Sequence, residues 1–265
     1  MNQTIRAGGV QFNVVPGDIQ TNVKSALNGI DKLAEKGVNL AVLPELWACG
    51  FDNANLTAHA AKTPAVLDII KAQAVRHRMI IAGSLAESAD DGLYNTLYVV
   101  EKDGTLAGTY RKIHLFTPMD EHRFFFQGNK WIVCETTIGR LGLMICYDLR
   151  FPELCRTLAL NNADCILVAA QWPAKRAAHW KVLLRARAIE NQVFVVGINS
   201  SGGDPNIEYG GNSQIISPWG DVLARAGEDG DEAIFADLNK KEMLRIRAVI
   251  PCLPERQPDV YSRQN

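Results

Sequence analysis

The order of strand-like and helix-like segments limits the fold of this chain more than any other feature. Residues 5–15 form an apolar run typical of a strand, and residues 22–36 carry apolar side chains at helical spacing. Residues 40–43 are again apolar and strand-like. A second helix is predicted over residues 63–78, and a strand follows at residues 79–85. Repeated strand-helix-strand units of this kind build an α/β fold.

Hairpins interrupt this alternation and add antiparallel strands. Residues 93–101 and 106–111 are strand-like, and Asp103-Gly104 between them supplies the positive φ that a tight hairpin turn needs. Further strands are predicted at residues 131–136, 141–145, 165–170, 193–199, 214–216, 222–224 and 233–237, and further helices at 151–161, 176–191 and 240–250. We therefore predict an α/β fold in which two mixed sheets, each covered by helices, form a layered sandwich.

The length and composition fit one large folding unit. The chain has 265 residues, of which 47% are hydrophobic, and no linker-like stretch divides it. One domain is predicted over residues 1–265. Residues 251–265 are rich in proline and charge, and we expect them to be too polar to pack alone. A partner subunit is one surface on which they could lie.

The charge balance argues against several kinds of partner. The chain has 28 Lys and Arg residues against 29 Asp and Glu residues, with no basic stripe, so nucleic acid is not expected to bind. No apolar run approaches the roughly 20 residues that span a bilayer, so no membrane contact is expected. The first residues lack the basic and apolar regions of a signal peptide. A cytoplasmic location is therefore predicted.

Cysteine and histidine spacing argues against disulfides and zinc. The six cysteines include no CxxC pair and read as reduced thiols, as expected in a long chain without an export signal. The five histidines include no HxxxH or HExxH pair, so no zinc site is expected. Glycine-rich phosphate-binding motifs are also missing.

Cys146 occupies a position that suits a nucleophile. It follows the apolar run 141–145 and precedes the amphipathic stretch 151–160, which would place its thiol at a strand end facing a helix N-terminus. Free N–H groups and the helix dipole at such a site favour a thiolate and an oxyanion. On position alone, the alternative that Cys146 is a small buried apolar residue stays open.

Two ionisable residues also follow predicted strands. Glu45 comes after residues 40–43, and Lys112 comes after residues 106–111. Strand ends are where α/β folds place their chemistry, although either residue alone reads as a solvated surface charge. A carboxylate, an ammonium and a thiol together supply a base, an oxyanion stabiliser and a nucleophile, which are the parts needed for acyl transfer.

Motifs around these three residues closely resemble the signature blocks of the nitrilase superfamily. The matching blocks are Leu43-Pro44-Glu45-Leu46, Tyr110-Arg111-Lys112-Ile113-His114-Leu115-Phe116 and Ile145-Cys146-Tyr147-Asp148-Leu149-Arg150-Phe151-Pro152-Glu153, and the resemblance continues through residues 186–192 and 217–220. The resemblance implies a four-layer αββα sandwich, subunits that form a homodimer, and a Glu-Lys-Cys triad that uses no metal or organic cofactor.

The resemblance also assigns roles to individual residues. Cys146 matches the nucleophile, Glu45 the general base and Lys112 the lysine that stabilises the oxyanion together with the backbone N–H of Tyr147. Glu121 matches a second glutamate that orients the lysine and the substrate amide. Its match is looser, because the loop after the lysine varies in length, and a surface glutamate in a polar loop is the alternative.

Residues 170–180 follow a strand and open a helix, so they should edge the same pocket. Arg176 and Trp172 are candidates for binding a substrate carboxylate, for which arginine forms the better fork. Arg150 could bind substrate or brace the turn through Glu153. The overall pattern most resembles the omega-amidase branch, whose members deamidate 2-oxoglutaramate and 2-oxosuccinamate.

Several alternatives remain at this stage. Within the superfamily, an N-carbamoyl amine or amino acid hydrolase, or another aliphatic amidase, is the second choice, and nitrile hydrolysis ranks lower. A noncatalytic sandwich that binds a metabolite or protein would not need all three reactive residues. A papain-like Cys-His enzyme lacks a histidine in a suitable motif.

Overall fold

Two six-stranded sheets stack face to face between outer layers of helices in the computed structural model, which describes residues 4–203 and 207–261. The strands are β1 (Thr4–Gln11), β2 (Leu40–Val42), β3 (Ile80–Ala89), β4 (Gly92–Val100), β5 (Leu106–Arg111), β6 (Val133–Thr136), β7 (Gly139–Ile145), β8 (Cys165–Ala170), β9 (Phe194–Asn199), β10 (Ser201–Gly203), β11 (Glu208–Gly210), β12 (Gln214–Ile216), β13 (Val222–Arg225) and β14 (Glu232–Asn239). The helices are α1 (Ile19–Glu35), α2 (Leu56–Ala60), α3 (Thr63–His77), α4 (Pro152–Leu160), α5 (Ala177–Asn191), α6 (Lys240–Val249) and α7 (Pro258–Tyr261).

Both sheets have the same plan. The first has the order β14-β1-β2-β3-β4-β5, and the second has the order β13-β12-β9-β8-β7-β6. The central strands β1, β2 and β3 run parallel to one another, as do β7, β8 and β9, while the flanking strands pair antiparallel. The predicted fold of two mixed sheets in an αββα sandwich is confirmed.

Close packing between the sheets depends on small residues in β1. A Cβ atom on Gly9 would lie 2.1 Å from Cδ1 of Ile198 in β9 and 3.2 Å from the carbonyl oxygen of Val42 in β2. Glycine therefore lets β1 approach the opposite sheet, where inward-facing side chains of both sheets form one shared core.

The outer helical layers form where the apolar periodicity is strongest. Asp18 caps α1 by accepting a hydrogen bond from the Thr21 N–H at 3.0 Å, and Ala26, Ile30 and Leu33 on its inner face are buried. A second buried cluster joins α1 and α3 to the first sheet. On the other side, α4 and α5 pack against the second sheet.

Some elements differ from the sequence-based expectation. The first strand ends at Gln11 instead of residue 15, and Asn13 beyond it forms only an isolated bridge to Ser201. The helix α1 begins at Ile19, directly after its N-cap Asp18 and three residues before the predicted start at residue 22. The short helix α2 and the hairpin β10–β11 were not predicted. In the tail, Arg256 and Tyr261 line a surface cavity with α4 residues of the same chain, whereas residues 262–265 lie outside the described part.

Within the described ranges, no helix is both long and apolar enough to cross a bilayer.

Candidate active site

Strand ends from both sheets bring Glu45, Lys112 and Cys146 together. Glu45 follows β2 and Lys112 follows β5 in the first sheet, and Cys146 follows β7 in the second. The Lys112 Nζ lies 2.7 Å from the Glu45 Oε1, and the Cys146 Sγ, which lies 3.9 Å from the Gln171 carbonyl oxygen, borders the same cavity as both residues. All three residues are buried. The alternative that Glu45 and Lys112 are solvated surface charges is wrong.

Cys146 lies in a sharp turn between β7 and a 3-10 helix over Cys146–Arg150. Its φ of 44° is in the left-handed region, which costs a residue with a Cβ atom about 1–3 kcal/mol. The buried carboxylate of Asp148 stabilises the turn by accepting hydrogen bonds from the Ile145 N–H at 2.9 Å and the Tyr110 hydroxyl at 2.7 Å. It also accepts one from the His114 backbone N–H at 3.0 Å.

The predicted environment of the thiol needs a correction. α4 begins only at Pro152, so Cys146 starts a short 3-10 turn instead of facing the N-terminus of a long helix. Burial raises the pKa of Cys146 well above its usual value, the Glu45 carboxylate raises it further, and Lys112 opposes both effects. Cys146 is therefore a protonated thiol in the resting site and requires a base to become a nucleophile.

Glu45 is held from three sides. Its Oε1 accepts hydrogen bonds from Lys112 Nζ at 2.7 Å and Asn95 Nδ2 at 2.8 Å, and its Oε2 accepts one from the Gln171 N–H at 3.0 Å. Burial raises the pKa of Glu45, and the Glu121 charge adds to this, while the Lys112 charge opposes it. A fixed carboxylate with a raised pKa next to a thiol can act as a general base.

Lys112 joins the two glutamates. Its Nζ lies 2.8 Å from both carboxylate oxygens of Glu121, which is itself fixed by the Phe116 N–H at 2.7 Å. Glu121 is only 3% exposed, so the alternative of a surface glutamate is wrong. Burial lowers the pKa of Lys112, but the charges of Glu121 and Glu45 more than offset this and raise it. Lys112 therefore stays cationic.

A cavity leads from these residues to the surface. Its empty volume is ≈ 400 Å³ when the space open to solvent at its mouth is included. The side chains that line it are Glu45, Phe51, Lys112, Phe116, Met119, Glu121, Cys146, Tyr147, Arg150, Gln171, Trp172, Pro173 and Arg176. Every residue that the sequence assigned to the site therefore borders one cavity.

Two guanidinium groups lie in the outer part of this cavity. Arg150 stacks over the Trp172 ring, 4.7 Å from its centroid, and Arg176 stacks over Phe116 at 5.0 Å. Burial lowers the pKa of Arg150, and the nearby charge of Arg176 lowers it further. Within residues 4–203 and 207–261, neither arginine pairs with a carboxylate; Arg150 instead points both Nη atoms at Nδ1 of His179, 3.4 Å away. The alternative in which Arg150 braces the turn through Glu153 is therefore wrong.

Sequence reasoning missed three polar residues of the site. Asn95 is a fully buried amide in β4, Gln171 directly follows β8, and Asp148 stabilises the turn at Cys146. The rule that singled out Glu45 and Lys112, a polar residue after a strand, also applies to Gln171. A lone amide inside an apolar strand was the signal at Asn95, because a buried polar side chain needs partners.

Comparisons with known proteins agree with this arrangement. A family model described as carbon-nitrogen hydrolase matches residues 6–248. A 2-oxoglutaramate amidase of Bacillus subtilis (strain 168) is 38% identical over 254 residues, covering 95% of this chain and 97% of that protein. The omega-amidase YafV of Escherichia coli (strain K12) is 38% identical over 216 residues, covering 81% of this chain and 83% of that protein.

The fold comparison points to the same group of proteins. A solved structure of a carbon-nitrogen hydrolase from Helicobacter pylori G27 superposes with a TM-score of 0.92 at 25% identity, covering 98% of this chain and 97% of that chain. The family model spans most of the sequence, and the two curated relatives exceed 30% identity over most of their own length. The chain therefore belongs to the carbon-nitrogen hydrolase family.

Proposed function

We propose that this protein is an omega-amidase. It hydrolyses the ω-amide of a 2-oxo dicarboxylic acid monoamide, such as 2-oxoglutaramate or 2-oxosuccinamate, to the 2-oxo acid and ammonia. The observation that carries the proposal is the cavity itself, which has a thiol, a carboxylate and an ammonium at its base. Farther out are two guanidinium groups that have no carboxylate partner among the residues that the structure describes. The similarity to the 2-oxoglutaramate amidase of Bacillus subtilis and the omega-amidase of Escherichia coli supports the same substrate class.

The acylation half of the reaction uses all three buried residues. Glu45 removes the proton from Cys146, and the thiolate attacks the amide carbon. Lys112 and the backbone N–H of Tyr147 donate hydrogen bonds to the resulting oxyanion. Three carboxylate oxygens, one from Glu45 and two from Glu121, lie 2.7–2.8 Å from the Lys112 Nζ, and a proton becomes free for the oxyanion when the two Glu121 oxygens share one of its three protons. The tetrahedral intermediate collapses as Glu45 returns its proton to nitrogen, so ammonia leaves and a thioester remains.

The second half hydrolyses the thioester. Water loses a proton to Glu45 and attacks the acyl carbon, and the same two donors stabilise the second oxyanion. The carbon-sulfur bond then breaks, the carboxylic acid leaves, and the Cys146 sulfur recovers a proton from Glu45. The net reaction consumes one amide and one water and forms one acid and one ammonia. Glu121 keeps Lys112 oriented throughout because it contacts Nζ with both oxygens.

The outer cavity accounts for the carboxylate of the substrate. Arg176 lies on the Phe116 ring with no hydrogen-bond partner for its guanidinium among the described residues, whereas Arg150, on the Trp172 ring, directs both Nη atoms at His179. A carboxylate can accept two parallel bonds from a guanidinium. The Trp172 indole N–H donates to the Arg176 carbonyl oxygen at 2.9 Å, so Trp172 contributes its ring face instead of a polar bond. A dicarboxylic acid monoamide fits this cavity, because its amide can reach the thiol at the base while the carboxylate at its other end meets the guanidinium groups farther out.

A substrate panel tests the proposal. Purified protein is assayed for ammonia release from 2-oxoglutaramate, glutamine, an N-carbamoyl amino acid and an aliphatic nitrile, with the Cys146→Ala variant as the blank. We expect the highest kcat/KM for 2-oxoglutaramate. A clear preference for the N-carbamoyl compound or the nitrile would replace the omega-amidase assignment, and substantial activity in Cys146→Ala would overturn the mechanism.

We also propose that the protein forms a homodimer in the cytoplasm. Apolar side chains are exposed on the helical layer of the second sheet, including Val182 and Ile189 on α5, Trp219 in the turn after β12, and Val249 on α6. Such a patch is typical of a subunit interface. All six cysteines are free, which suits a reducing compartment.

A further inference from the structure

Asn95 contacts the proposed base, Glu45, and two further ionisable residues beside it, Glu121 and Lys112. It lies near the middle of β4 and is fully buried. Its carbonyl oxygen accepts a hydrogen bond from the Lys112 N–H at 2.9 Å. Its side-chain Nδ2 donates to Glu45 Oε1 at 2.8 Å and to Glu121 Oε1 at 3.4 Å. One strand residue therefore links the base, the second glutamate and the lysine.

Charge fixes the orientation of the Asn95 amide. If the amide were flipped, Oδ1 would face two carboxylate oxygens and repel both, so the N–H side must face Glu45 and Glu121. The Oδ1 atom is buried and accepts no hydrogen bond from any residue in the described part of the chain. A buried amide with an unpaired acceptor lowers stability, so packing alone does not explain why an amide lies here.

The Asn95 amide lies in a buried cluster that has more negative than positive groups. Two carboxylates, Glu45 and Glu121, share a single ammonium, so the buried cluster carries excess negative charge. Among residues 4–203 and 207–261, the other titratable group facing Glu45 is Cys146 from the end of β7, while Arg150 and Arg176 line the same cavity farther out. Among the neutral groups, only N–H donors such as that of Asn95 favour the ionised form of Glu45 against the effect of burial.

We propose that Asn95 is a positioning residue that keeps Glu45 ionised and aligned for proton transfer from Cys146, and that it thereby sets the acid limb of the pH-rate profile. This inference rests on the proposed role of Glu45 as general base. Asn95 does not line the cavity, so it acts through Glu45 and not by touching the substrate.

The test compares two buried asparagines. Asn22 in α1 is also fully buried and donates to the Val15 and Ala48 carbonyl oxygens, and neither of these partners lines the cavity. We expect Asn95→Ser to move the acid limb of kcat/KM to higher pH, so that the rate at a fixed pH on that limb falls about tenfold, because a hydrogen bond to a carboxylate is lost. Asn22→Ser should lower Tm and leave the limb in place.

A second variant covers the case in which Asn95→Ser fails to fold. Asn95→Asp keeps the shape of the side chain but replaces the donor with a third carboxyl group, and it should move the limb further in the same direction. A wild-type pH profile in either folded variant would overturn the proposal, and so would loss of the fold in both, because Asn95 would then be structural. An inactive wild-type protein, or an active Glu45→Gln variant, would instead overturn the proposed function.

Discussion

At the residue scale, the site works with groups whose charges are set by burial and by one another. Cys146 alone is a protonated thiol with a raised pKa, and Glu45 alone would be a costly buried carboxylate. Together with Lys112 they form a unit in which each charge has a partner. The reactivity of Cys146 therefore depends on Glu45 and Lys112 as well as on the thiol itself. Substitutions of residues that contact these two, such as Asn95 and Glu121, should change how the reaction rate depends on pH.

Glu121→Gln provides the opposite pH test to the Asn95 variants. The Glu121 charge raises the pKa of Glu45, so its removal lowers the pKa of Glu45 and moves the acid limb of kcat/KM to lower pH. The plateau rate should also fall on the order of tenfold or more, because Lys112 loses part of its anchoring. A pH-rate profile measured by ammonia release checks both effects. A limb that moves to higher pH would contradict the electrostatic argument.

Arg176→Ala tests how the substrate carboxylate is bound. We expect KM for 2-oxoglutaramate to rise about 10- to 100-fold, which corresponds to the loss of a charge-assisted hydrogen bond. Hydrolysis of a neutral aliphatic amide should change little, because it has no carboxylate to lose. Lys175→Ala is the matched control, since Lys175 is the neighbouring cation and does not line the cavity. Equal effects of Arg176→Ala on both substrates would argue for a structural role.

The positions of site residues were easiest to predict from the sequence where an ionisable residue directly follows an apolar, strand-like run. Glu45, Lys112 and Cys146 each follow a strand, so the sequence pattern alone indicated a common edge. The raised pKa of Cys146 was not predictable in the same way, because it depends on burial and on Glu45, which is far away in sequence. Asn95 was missed because its partners come from three separate segments.

At the element scale, the turn after β7 determines where the nucleophile points. Cys146 holds a left-handed backbone conformation there, and Asp148 two residues later stabilises it through hydrogen bonds from β5 and from the following loop. The His114 ring, which stacks on Phe151 at 3.6 Å, also contacts the Asp148 carboxylate through Nδ1 at 2.7 Å. The carboxylate thus ties Cys146 to the segment that carries Lys112.

Asp148→Asn should weaken both the turn and the reaction. An amide offers one acceptor oxygen where the carboxylate offers two, so at least one buried donor loses its partner. We expect the free energy of unfolding to fall by about 1–3 kcal/mol and kcat to fall as Cys146 loses its alignment. Denaturant unfolding and ammonia release measure the two effects.

Asp18→Ala serves as the control for Asp148→Asn. It removes the N-cap of α1, which should cost about 1 kcal/mol of stability and leave kcat unchanged. If Asp148→Asn lowered stability while kcat stayed at the wild-type value, the turn would not be what aligns Cys146.

Most helices and strands followed from sequence periodicity, with small errors at their ends. β5, β8 and β12 have the predicted bounds, because each is a compact run ended by polar residues. The hairpin β10–β11 was missed, since Ser201–Gly203 and Glu208–Gly210 are rich in glycine and carry no apolar alternation. Its pairing depends on neighbours such as Pro173, which forms a bridge to Tyr209.

At the scale of the whole molecule, the two helical layers differ in what they expose. The layer of α1 and α3 covers the first sheet, and the layer of α4 and α5 covers the second. The second layer presents Val182, which is 65% exposed, close in sequence to the cavity residue Arg176. A sequence pattern predicts which face of a helix is buried within one chain, but it does not distinguish solvent from a second subunit.

The proposed homodimer predicts that a charge on this face separates the subunits. Val182→Glu places a carboxylate in an apolar interface, where its burial is costly, so the variant should be a monomer by light scattering at concentrations at which the wild type is a dimer. Val75→Glu is the matched control, because Val75 is 51% exposed on α3 of the opposite layer. It should remain a dimer. A wild-type protein that is a monomer would overturn the proposed dimer. Dissociation by Val75→Glu alone would show that the interface is not on α5.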